Sequence, residues 1–311
     1  MPDESGGGTP GHVVLAAHQP DSVLLERQLA SIASQSYGDF RCLIGFDGPD
    51  EKASLARDLV RGDDRFTVRE YDQNVGVYRH FERLLADVPR DAPWVALSDQ
   101  DDRWYAEKLS RLLPELGRPG TTAVSGQARV VDVGGAVLRA STCRHQSDLI
   151  GLLWQNEVTG ALTVFDTGLL EQALPFPDSD SSAAMHDHWL AVVAAATGRV
   201  LILPDVVQDY VQHGRNVLGE PQPTSLVAWA SDLGSLRTRA NQRGSWRLTM
   251  AQALAQRRLA EIAVPGSGRR GTWLTTLDTV RTAHDDGRMR LRGALAALLD
   301  AGLFAARRRS R

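Results

Sequence analysis

The sequence is poor in cysteine and contains no long hydrophobic run. Its two cysteines, Cys42 and Cys143, provide neither a disulfide framework nor a spaced metal site, which favours a reducing compartment and a cytoplasmic location. No stretch reaches the roughly 18 apolar residues of a membrane span. The opening residues lack a basic segment followed by an apolar one, so no secretory signal is expected. With 42% hydrophobic and 23% charged residues, the composition excludes collagen-like and wholly disordered chains.

The net charge of -3 conceals two parts of opposite sign. Residues 1–220 carry 19 basic and 32 acidic side chains, whereas residues 221–311 carry 16 basic and 6 acidic ones. The acidic part disfavours nucleic acid as a ligand, because duplex binding relies on lysine and arginine to neutralise phosphates. It leaves open a phosphate that is held through a metal ion. We predict a flexible leader at 1–11, a main domain at 12–220 and a basic helical extension at 221–311.

Short apolar runs alternate with helical periodicity in the first 120 residues. Strands are predicted at His12–Ala17, Phe40–Phe46, Arg65–Glu70 and Trp94–Ser98, and helices at Asp21–Gln35, Glu51–Val60, Val77–Ala86 and Tyr105–Leu116. This alternation predicts an α/β fold with a parallel sheet and right-handed crossovers. Ligands bind beyond the carboxyl ends of the strands in such sheets. Three polar turns lie there in sequence, and they begin at His18, Asp47 and Asp99.

The second half of the chain is less regular. Strands are predicted at Ala123–Val131, Ala136–Leu138, Leu162–Phe165, Val200–Leu203 and Val207–Gln212. Asp187–Ala196 is predicted to form a strongly apolar helix. From Pro221 onward the pattern is helical and rich in arginine and alanine, which predicts a helical extension.

Three aspartates fall within four residues directly after the fourth predicted strand. Asp99, Asp101 and Asp102 lie so close that each raises the pKa of its neighbours unless a cation compensates the charge. A Mg²⁺ or Mn²⁺ ion held by one or two carboxylates and by substrate phosphates is a natural compensation. Alternatively, the turn is a helix cap with Asp102 as the N-cap residue. The position at a strand end, in register with the two other polar turns, favours the metal.

The run LSDQDDRWYAEKL at 97–109 resembles the metal-binding segment of family 2 glycosyltransferases, which have the GT-A nucleotide-diphospho-sugar transferase fold. The likeness is greatest to bacterial enzymes of the rhamnosyltransferase type. Other matching pieces, in order, are AAHQP, QLASIASQSY, FDGPDE, NVGVYRHFERLL, NEVTGALTVFD, ALPFP, HDHWLA and YVQHGRNVLG. Together they cover roughly residues 12–219, and their order and spacing are more specific than any single piece.

This resemblance implies a metal-dependent inverting transferase that moves a sugar, rhamnose by the closest likeness, from a dTDP- or UDP-type donor to a hydroxyl of a glycan or glycolipid. It assigns Asp187 as the general base that takes the proton of the acceptor hydroxyl; the alternative is a helix N-cap. The implied metal ligands are Asp99, Asp101 and His213. The implied nucleotide-sugar contacts are His18, Gln19, Asp47, Asn74, Asp99, Gly160 and Arg215. The implied acceptor contacts are His186, His188 and Trp189.

Two other function classes stay open at this point. A sugar-1-phosphate nucleotidyltransferase shares the sheet type, but AAHQPDS lacks the glycine-rich loop and basic residues that it would need. A nucleotide-sugar-binding or scaffold protein with a degenerate site is the non-enzymatic alternative. Two interpretations of the basic helical extension also stay open. Leu291–Ala306 is followed by three arginines, which is typical of a helix packed on the main domain or of a helix bound to anionic lipid.

Overall fold

The computed structural model describes residues 8–213 and 233–262. The strands are β1 (Gly11–Ala17), β2 (Phe40–Phe46), β3 (Phe66–Glu70), β4 (Trp94–Ser98), β5 (Arg103–Trp104), β6 (Thr121–Asp132), β7 (Val137–Arg139), β8 (Thr163–Asp166) and β9 (Arg199–Gln212). The helices are α1 (Ser22–Ala33), α2 (Lys52–Leu59), α3 (Gly76–Ala86), α4 (Lys108–Leu116), α5 (Leu149–Trp154), α6 (Leu169–Ala173), α7 (His186–Thr197) and α8 (Leu233–Gln256). A short 3-10 turn occupies Gly160–Leu162.

One mixed sheet runs through the molecule in the strand order β3-β2-β1-β4-β8-β6-β9-β5, with β7 paired to β6. Strands β1 to β4 are mutually parallel, as the alternation of strands and helices predicted. β8 is antiparallel to both β4 and β6, and it joins the parallel half to the second half of the sheet. The predicted α/β class with a GT-A-type, mostly parallel sheet is therefore confirmed.

Helix α1 shows how local sequence fixes an element. The carboxylate of Asp21 accepts hydrogen bonds from the backbone N–H groups of Val23 at 2.9 Å and Leu24 at 3.2 Å, which makes Asp21 the N-cap of the helix. Leu25, Leu29 and Ile32 recur at helical spacing and are buried against the sheet. The cap and the apolar face together place the start of α1 directly after the polar turn that follows β1.

The sequence prediction of two strands at 200–203 and 207–212 is wrong. The structure has one strand, β9, which pairs with β6 along its whole length. The register shifts twice between Ser125 and Ala128, and these irregularities absorb Pro204, which has no N–H to donate. The predicted helix at 105–116 begins only at Lys108, because Arg103 and Trp104 pair with β9 as strand β5.

Apolar side chains cover both faces of the sheet. One cluster brings α3, α5, α7 and α8 together over one face, and it includes Phe81, Trp189 and Trp246. The other cluster packs α1, α2 and α4 against the opposite face. Helix α8, in the predicted extension, thus contributes to the same core as the main domain. Residues 291–309 lie outside the described residues. Within the described part, no helix is both long and apolar enough for a membrane crossing.

Candidate active site

The acidic loop, which we define as residues 99–102, is anchored through Asp102. The Asp102 carboxylate is fully buried and accepts hydrogen bonds from the side-chain nitrogen of Gln208 at 2.6 Å and from the N–H of Val211 at 3.3 Å. Asp102 therefore binds strand β9 and does not cap helix α4, which rules out the alternative weighed for this residue. Asp99 and Asp101 are the carboxylates of the loop that are only partly buried.

Asp101 contacts the histidine that the sequence placed with it. The Nε2 atom of His213 lies 2.7 Å from the Oδ2 atom of Asp101, and both side chains are mostly buried. The contact forms because β9 passes alongside the acidic loop and ends at Gln212, one residue before His213. Two residues 112 positions apart in the chain thus become neighbours, as the proposed metal set requires.

Asp99 lies in an environment that disfavours its charge. Burial, followed by the nearby carboxylates of Asp101 and Asp187, raises the pKa of Asp99 to about 7. Within the described ranges no group of three histidine, cysteine or acidic side chains is arranged as a metal site. A Mg²⁺-type ion, however, needs only one or two carboxylates when phosphates and waters complete its shell. Asp99, Asp101 and His213 are oxygen and nitrogen donors of the kind that Mg²⁺ or Mn²⁺ accepts.

Asp187 is held at both oxygen atoms by the segment before β8. Its Oδ1 atom accepts a hydrogen bond from the side chain of Asn156 at 3.0 Å, and its Oδ2 atom accepts one from the N–H of Gly160 at 3.3 Å. The N-cap of α7 is Met185, so Asp187 does not have the capping role considered as an alternative. It lies in the first turn of the helix, where the dipole favours a negative charge.

Gly160 allows the backbone to pass between β4 and α7. A Cβ atom at this position would lie 3.0 Å from Nε2 of His186 and 3.2 Å from Cδ1 of Leu97, closer than side chains normally tolerate. Leu97 is two residues before Asp99. The absence of a side chain at position 160 therefore lets the acidic loop and the start of α7 approach each other.

The polar turns after β1 and β4 are tied together at His18. The side-chain amide of Gln100 accepts from the N–H of His18 at 2.7 Å and donates to its carbonyl at 3.2 Å. The ring of His18 lies 3.1 Å from the side-chain nitrogen of Asn74 and is exposed. Gln19 adopts a φ of 44°, and its N–H donates to Asp50 at 2.8 Å. His18, Gln19 and Asn74 thus form one accessible polar edge.

Asp47 has a different environment from that expected of a residue in direct contact with a nucleobase. Its carboxylate is buried and accepts from the N–H groups of Val75 and Gly76, each at 2.9 Å, and from the guanidinium of Arg83 at 2.8 Å. These bonds hold the start of α3 against the end of β2. A base would have to compete with them for the same oxygen atoms.

Of the three residues expected to contact the acceptor, His186 and Trp189 are buried and His188 is half-buried. Trp189 is fully buried and donates its ring N–H to the carbonyl of Ala173 at 2.9 Å, so the prediction that it touches an acceptor is wrong. The Nε2 atom of His188 lies 2.7 Å from the carbonyl oxygen of Leu152, which ties this half-buried ring to α5. His186 is buried and stacks on Phe81 with ring centroids 3.8 Å apart.

Burial alters the two histidines that flank Asp187. Desolvation lowers the pKa of His186 and of His188 to about 4, so both rings are neutral near pH 7. Periodicity does not reveal this burial because α7 is apolar over nearly its whole circumference. Arg215, the remaining predicted contact, lies outside the described residues.

Two residues of the site were missed in the sequence. Asn156 and Gln100 both lie inside motifs quoted for the family resemblance, NEVTGALTVFD and LSDQDDRWYAEKL. An uncharged amide has no titration chemistry of its own, so nothing singled them out within those motifs. Their role emerges only once Asp187 and His18 are seen next to them.

Comparison with known proteins identifies the family and the fold. Residues 13–167 match the model of glycosyl transferase family 2. The fold is shared with a mannosyltransferase from Pyrobaculum calidifontis solved with GDP-Man and Mn²⁺, at 18% identity and a TM-score of 0.53 over 96% of this chain and 87% of that one. It is also shared with S. aureus TarS 1-349 in complex with UDP-GlcNAc, at 13% identity and a TM-score of 0.54 over 97% and 92% of the two chains. No curated protein sequence matches the chain.

The family match begins in β1 and ends just after β8, so it contains the acidic loop and the Asn156–Gly160 segment. The mixed sheet and both structural neighbours agree with it. The chain therefore belongs to the family 2 glycosyltransferases and is a glycosyltransferase with the GT-A fold.

Proposed function

We propose that this glycosyltransferase is metal-dependent and inverting, and that it uses Asp187 as its general base. The donor is a nucleotide-diphosphate sugar, with rhamnose as the sugar suggested by the sequence resemblance, and the acceptor is a hydroxyl of a glycan or glycolipid. The structural neighbours support the donor class, because one was solved with GDP-Man and the other with UDP-GlcNAc. The Mn²⁺ in the first of them supports the metal.

One observation carries the proposal: the end of β4, which leads into the acidic loop, and Asp187 meet across Gly160. Leu97 on β4 and Asp187 on α7 both approach the position where a Cβ of Gly160 would stand, each at 3.2 Å. Asp187 is close enough to Asp99 to raise its pKa. A site for the leaving diphosphate and a base for the incoming hydroxyl would therefore lie side by side, as a single displacement needs.

Asp99, Asp101 and His213 would hold the metal, which would supply charge neutralisation for the departing diphosphate. Asp101 and His213 support this set because they are already in contact at 2.7 Å. Asp99 supports it because no group in residues 8–213 or 233–262 donates a hydrogen bond to its carboxylate. Its oxygen atoms are accordingly available to a cation.

Asp187 would take the proton of the acceptor hydroxyl as that oxygen attacks the anomeric carbon. The bonds from Asn156 and Gly160 restrict rotation of its carboxylate and so favour one direction of approach. Attack from the side opposite the leaving diphosphate inverts the configuration at that carbon. The neutral rings of His186 and His188 add no positive charge of their own beside the base.

The exposed edge of His18, Gln19 and Asn74 would receive the nucleotide, with Arg215 adding a phosphate contact. Asp47 would support this edge from behind, since its carboxylate fixes Val75 and Gly76 next to Asn74. We further propose that the arginine-rich end of the extension contacts anionic lipid. The sequence of residues 291–309 is the support for that contact.

The test is hydrolysis and binding of a donor panel that contains dTDP-rhamnose, UDP-glucose, UDP-GlcNAc and GDP-mannose, with and without Mn²⁺. We expect one donor to raise the melting temperature only with Mn²⁺, because a ligand that binds the folded state stabilises it by mass action. Asp101→Asn should abolish that shift. Asp187→Asn should keep the shift and lose nearly all transfer and hydrolysis.

The matched control is Asp178→Asn, which alters a fully exposed aspartate paired with Arg79. It should leave both binding and turnover unchanged. Full activity of Asp187→Asn would refute the base, and metal-independent binding of every donor would refute the metal set.

A further inference from the structure

The chain contains two lysines against 33 arginines, and one of the two is fully buried. Lys108 is the first residue of α4, and its side chain has no exposure to solvent. Burying a lysine side chain costs folding free energy unless several groups compensate its amino group. The groups that contact the Lys108 nitrogen therefore indicate its role in the fold. Lys52, the other lysine, is partly exposed and pairs with Glu51 on the surface.

The ammonium of Lys108 contacts three separate elements. It donates a hydrogen bond to the carbonyl of Ala161 in the 3-10 turn, and another to the side-chain oxygen of Gln208 on β9 at 2.7 Å. Its nitrogen also lies 3.5 Å from the ring centroid of Trp104 on β5. An ammonium group has three N–H donors that point in different directions, which matches these three contacts. A guanidinium is larger and planar, and its N–H groups point in other directions.

Each hydrogen-bond partner of Lys108 is itself linked to one part of the proposed active site. Ala161 follows Gly160, whose N–H binds the carboxylate of Asp187 at 3.3 Å. Gln208 uses its nitrogen to bind Asp102 at 2.6 Å, and Asp102 is the anchor of the acidic loop. One buried side chain thus connects the loop that carries Asp99 and Asp101 with the turn that holds the base.

We propose that Lys108 is a positioning residue for glycosyl transfer, which fixes the acidic loop and the base relative to each other. It acts through its hydrogen bonds to Gln208 and Ala161. The inference rests on the proposed function for the role of Asp187, while the connection itself rests on the contacts alone. Both bonds involve groups that would otherwise be left unpaired in the interior, so losing the ammonium releases both sides together.

The test compares Lys108→Met, which keeps the length and apolar stem of the side chain, with Lys52→Met as the matched control. The first readout is amide hydrogen exchange in the free protein. We expect the N–H groups of Gly160 and Val211 to exchange faster in Lys108→Met, with the amides of β1 unchanged. Neither site should change in Lys52→Met. Unchanged protection at both sites in Lys108→Met would overturn the proposal.

The second readout is hydrolysis of the panel donor that the wild-type protein turns over fastest with Mn²⁺. Lys108→Met should lower kcat about 100-fold, the effect of a misplacement near 1 Å, while affinity for the matching nucleoside diphosphate falls far less. In an Asp187→Asn background the same change should have no further effect on the rate. Equal losses in both backgrounds would show that Lys108 does not act through the base, and the proposal would fail.

The two readouts also separate this inference from the proposed function. If no donor is hydrolysed by the wild-type protein, the proposed function fails, and the paired exchange at Gly160 and Val211 still decides whether Lys108 connects the two sides. If Lys108→Met does not fold, Gln208→Met cuts the link one residue further on. That variant should release Val211 and leave Gly160 protected, and release of neither would count against the connection. Lys108→Arg should show a loss of kcat like that of Lys108→Met, because a guanidinium does not reproduce the contacts of the lysine amino group.

Discussion

The side-chain amide of Asn156 donates a hydrogen bond to the carboxylate of Asp187 at 3.0 Å, across 31 positions of sequence. Asn156 follows α5 by two residues, and Asp187 lies in the first turn of α7. These two helices pack against each other, so the hydrogen bond joins two segments whose positions are fixed by packing. One oxygen atom of the proposed base is thus oriented by an uncharged group that leaves its negative charge intact.

Replacing Asn156 should therefore affect turnover more than stability. Asn156→Ala removes the donor to Oδ1 of Asp187 and frees the carboxylate to rotate. We expect kcat to fall about 10-fold to 100-fold, because orientation of a catalytic group contributes strongly to rate. The free energy of unfolding should drop by only about 1 kcal/mol, the value of one hydrogen bond. Steady-state kinetics and urea unfolding measure the two effects.

Thr122→Val is the matched control for this substitution. The hydroxyl of Thr122 donates to the carbonyl of Ala194 at 2.8 Å, near the other end of α7. Its removal costs one hydrogen bond to the same helix but leaves Asp187 untouched. We expect a similar loss of stability and an unchanged kcat. Equal losses of kcat in both variants would mean that Asn156 acts only by supporting α7.

Asp47 should behave mainly as a structural residue. Asp47→Ala leaves the guanidinium of Arg83 and the N–H groups of Val75 and Gly76 without their acceptor. We expect a loss of about 3 kcal/mol in the free energy of unfolding, as for a buried ion pair with one partner removed. Thermal and urea unfolding measure it.

Asp50→Ala provides the comparison, since Asp50 accepts from Gln19 and Lys52 in a more exposed turn. It should cost about 1 kcal/mol. If Asp47→Ala instead weakened nucleotide binding and left stability intact, the residue would be a direct nucleotide contact after all.

The parallel half of the fold was predictable because each signal there is local. Phe40–Phe46 and Trp94–Ser98 are apolar runs between polar turns, and the structure has strands at the same residues. Helix α1 begins directly after Asp21, where the predicted helix starts. The convergence of His18, Asp47 and Asp99 followed from the rule that parallel strands end at one edge of the sheet.

The remaining errors concern properties that only the folded chain has. Trp189 looked like a sugar-stacking residue at the start of a helix, yet α7 is enclosed by α3, α5, α6 and α8. Lys108 lies in a quoted motif, but a sequence does not show that an ammonium is buried. Asp102 and Asp101 are adjacent and chemically identical, and only the pairing of β5 with β9 turns the first toward Gln208 and the second toward His213.

The buried histidine next to the base should make stability depend on pH. Burial lowers the pKa of His186 to about 4, whereas an unfolded histidine titrates near 6.5. Between these pH values the His186 ring is protonated in the unfolded chain but not in the folded protein. Its contribution to the free energy of unfolding is therefore fully present above about pH 6.5 and is lost as the pH drops toward 4. The loss attributable to His186 is roughly 3 kcal/mol at the acid end of that window.

His186→Phe tests this dependence, because a phenyl ring keeps the stacking on Phe81 and cannot take up a proton. Urea unfolding at intervals between pH 7 and pH 4.5 should show a shallower decline for the variant than for the wild-type protein. His145→Phe, at an exposed histidine, should keep the wild-type slope. Parallel pH curves for wild-type protein and His186→Phe would contradict the expectation.

Helix α8 should be indispensable for the stability of the catalytic core. Trp246 is almost fully buried, packs edge-to-face against Tyr78 at 5.6 Å, and lies beside His188. The guanidinium of Arg247 donates to the carbonyl of Trp154 at 2.9 Å, two residues before Asn156. We expect Trp246→Ala to cost about 3–5 kcal/mol, as large-to-small core changes do. The exposed Gln252→Ala on the same helix should be nearly neutral.

The same reasoning predicts the fate of a chain cut at residue 220, the boundary inferred from composition and charge. Such a chain lacks Trp246, Met250 and Leu254, which complete the core over α5 and α7. We expect it to expose that apolar surface and to be recovered aggregated or with a strongly lowered melting temperature. A soluble fragment 1–220 with the wild-type melting temperature would show instead that the main domain folds without α8, and that the extension is a separate unit docked on a finished core.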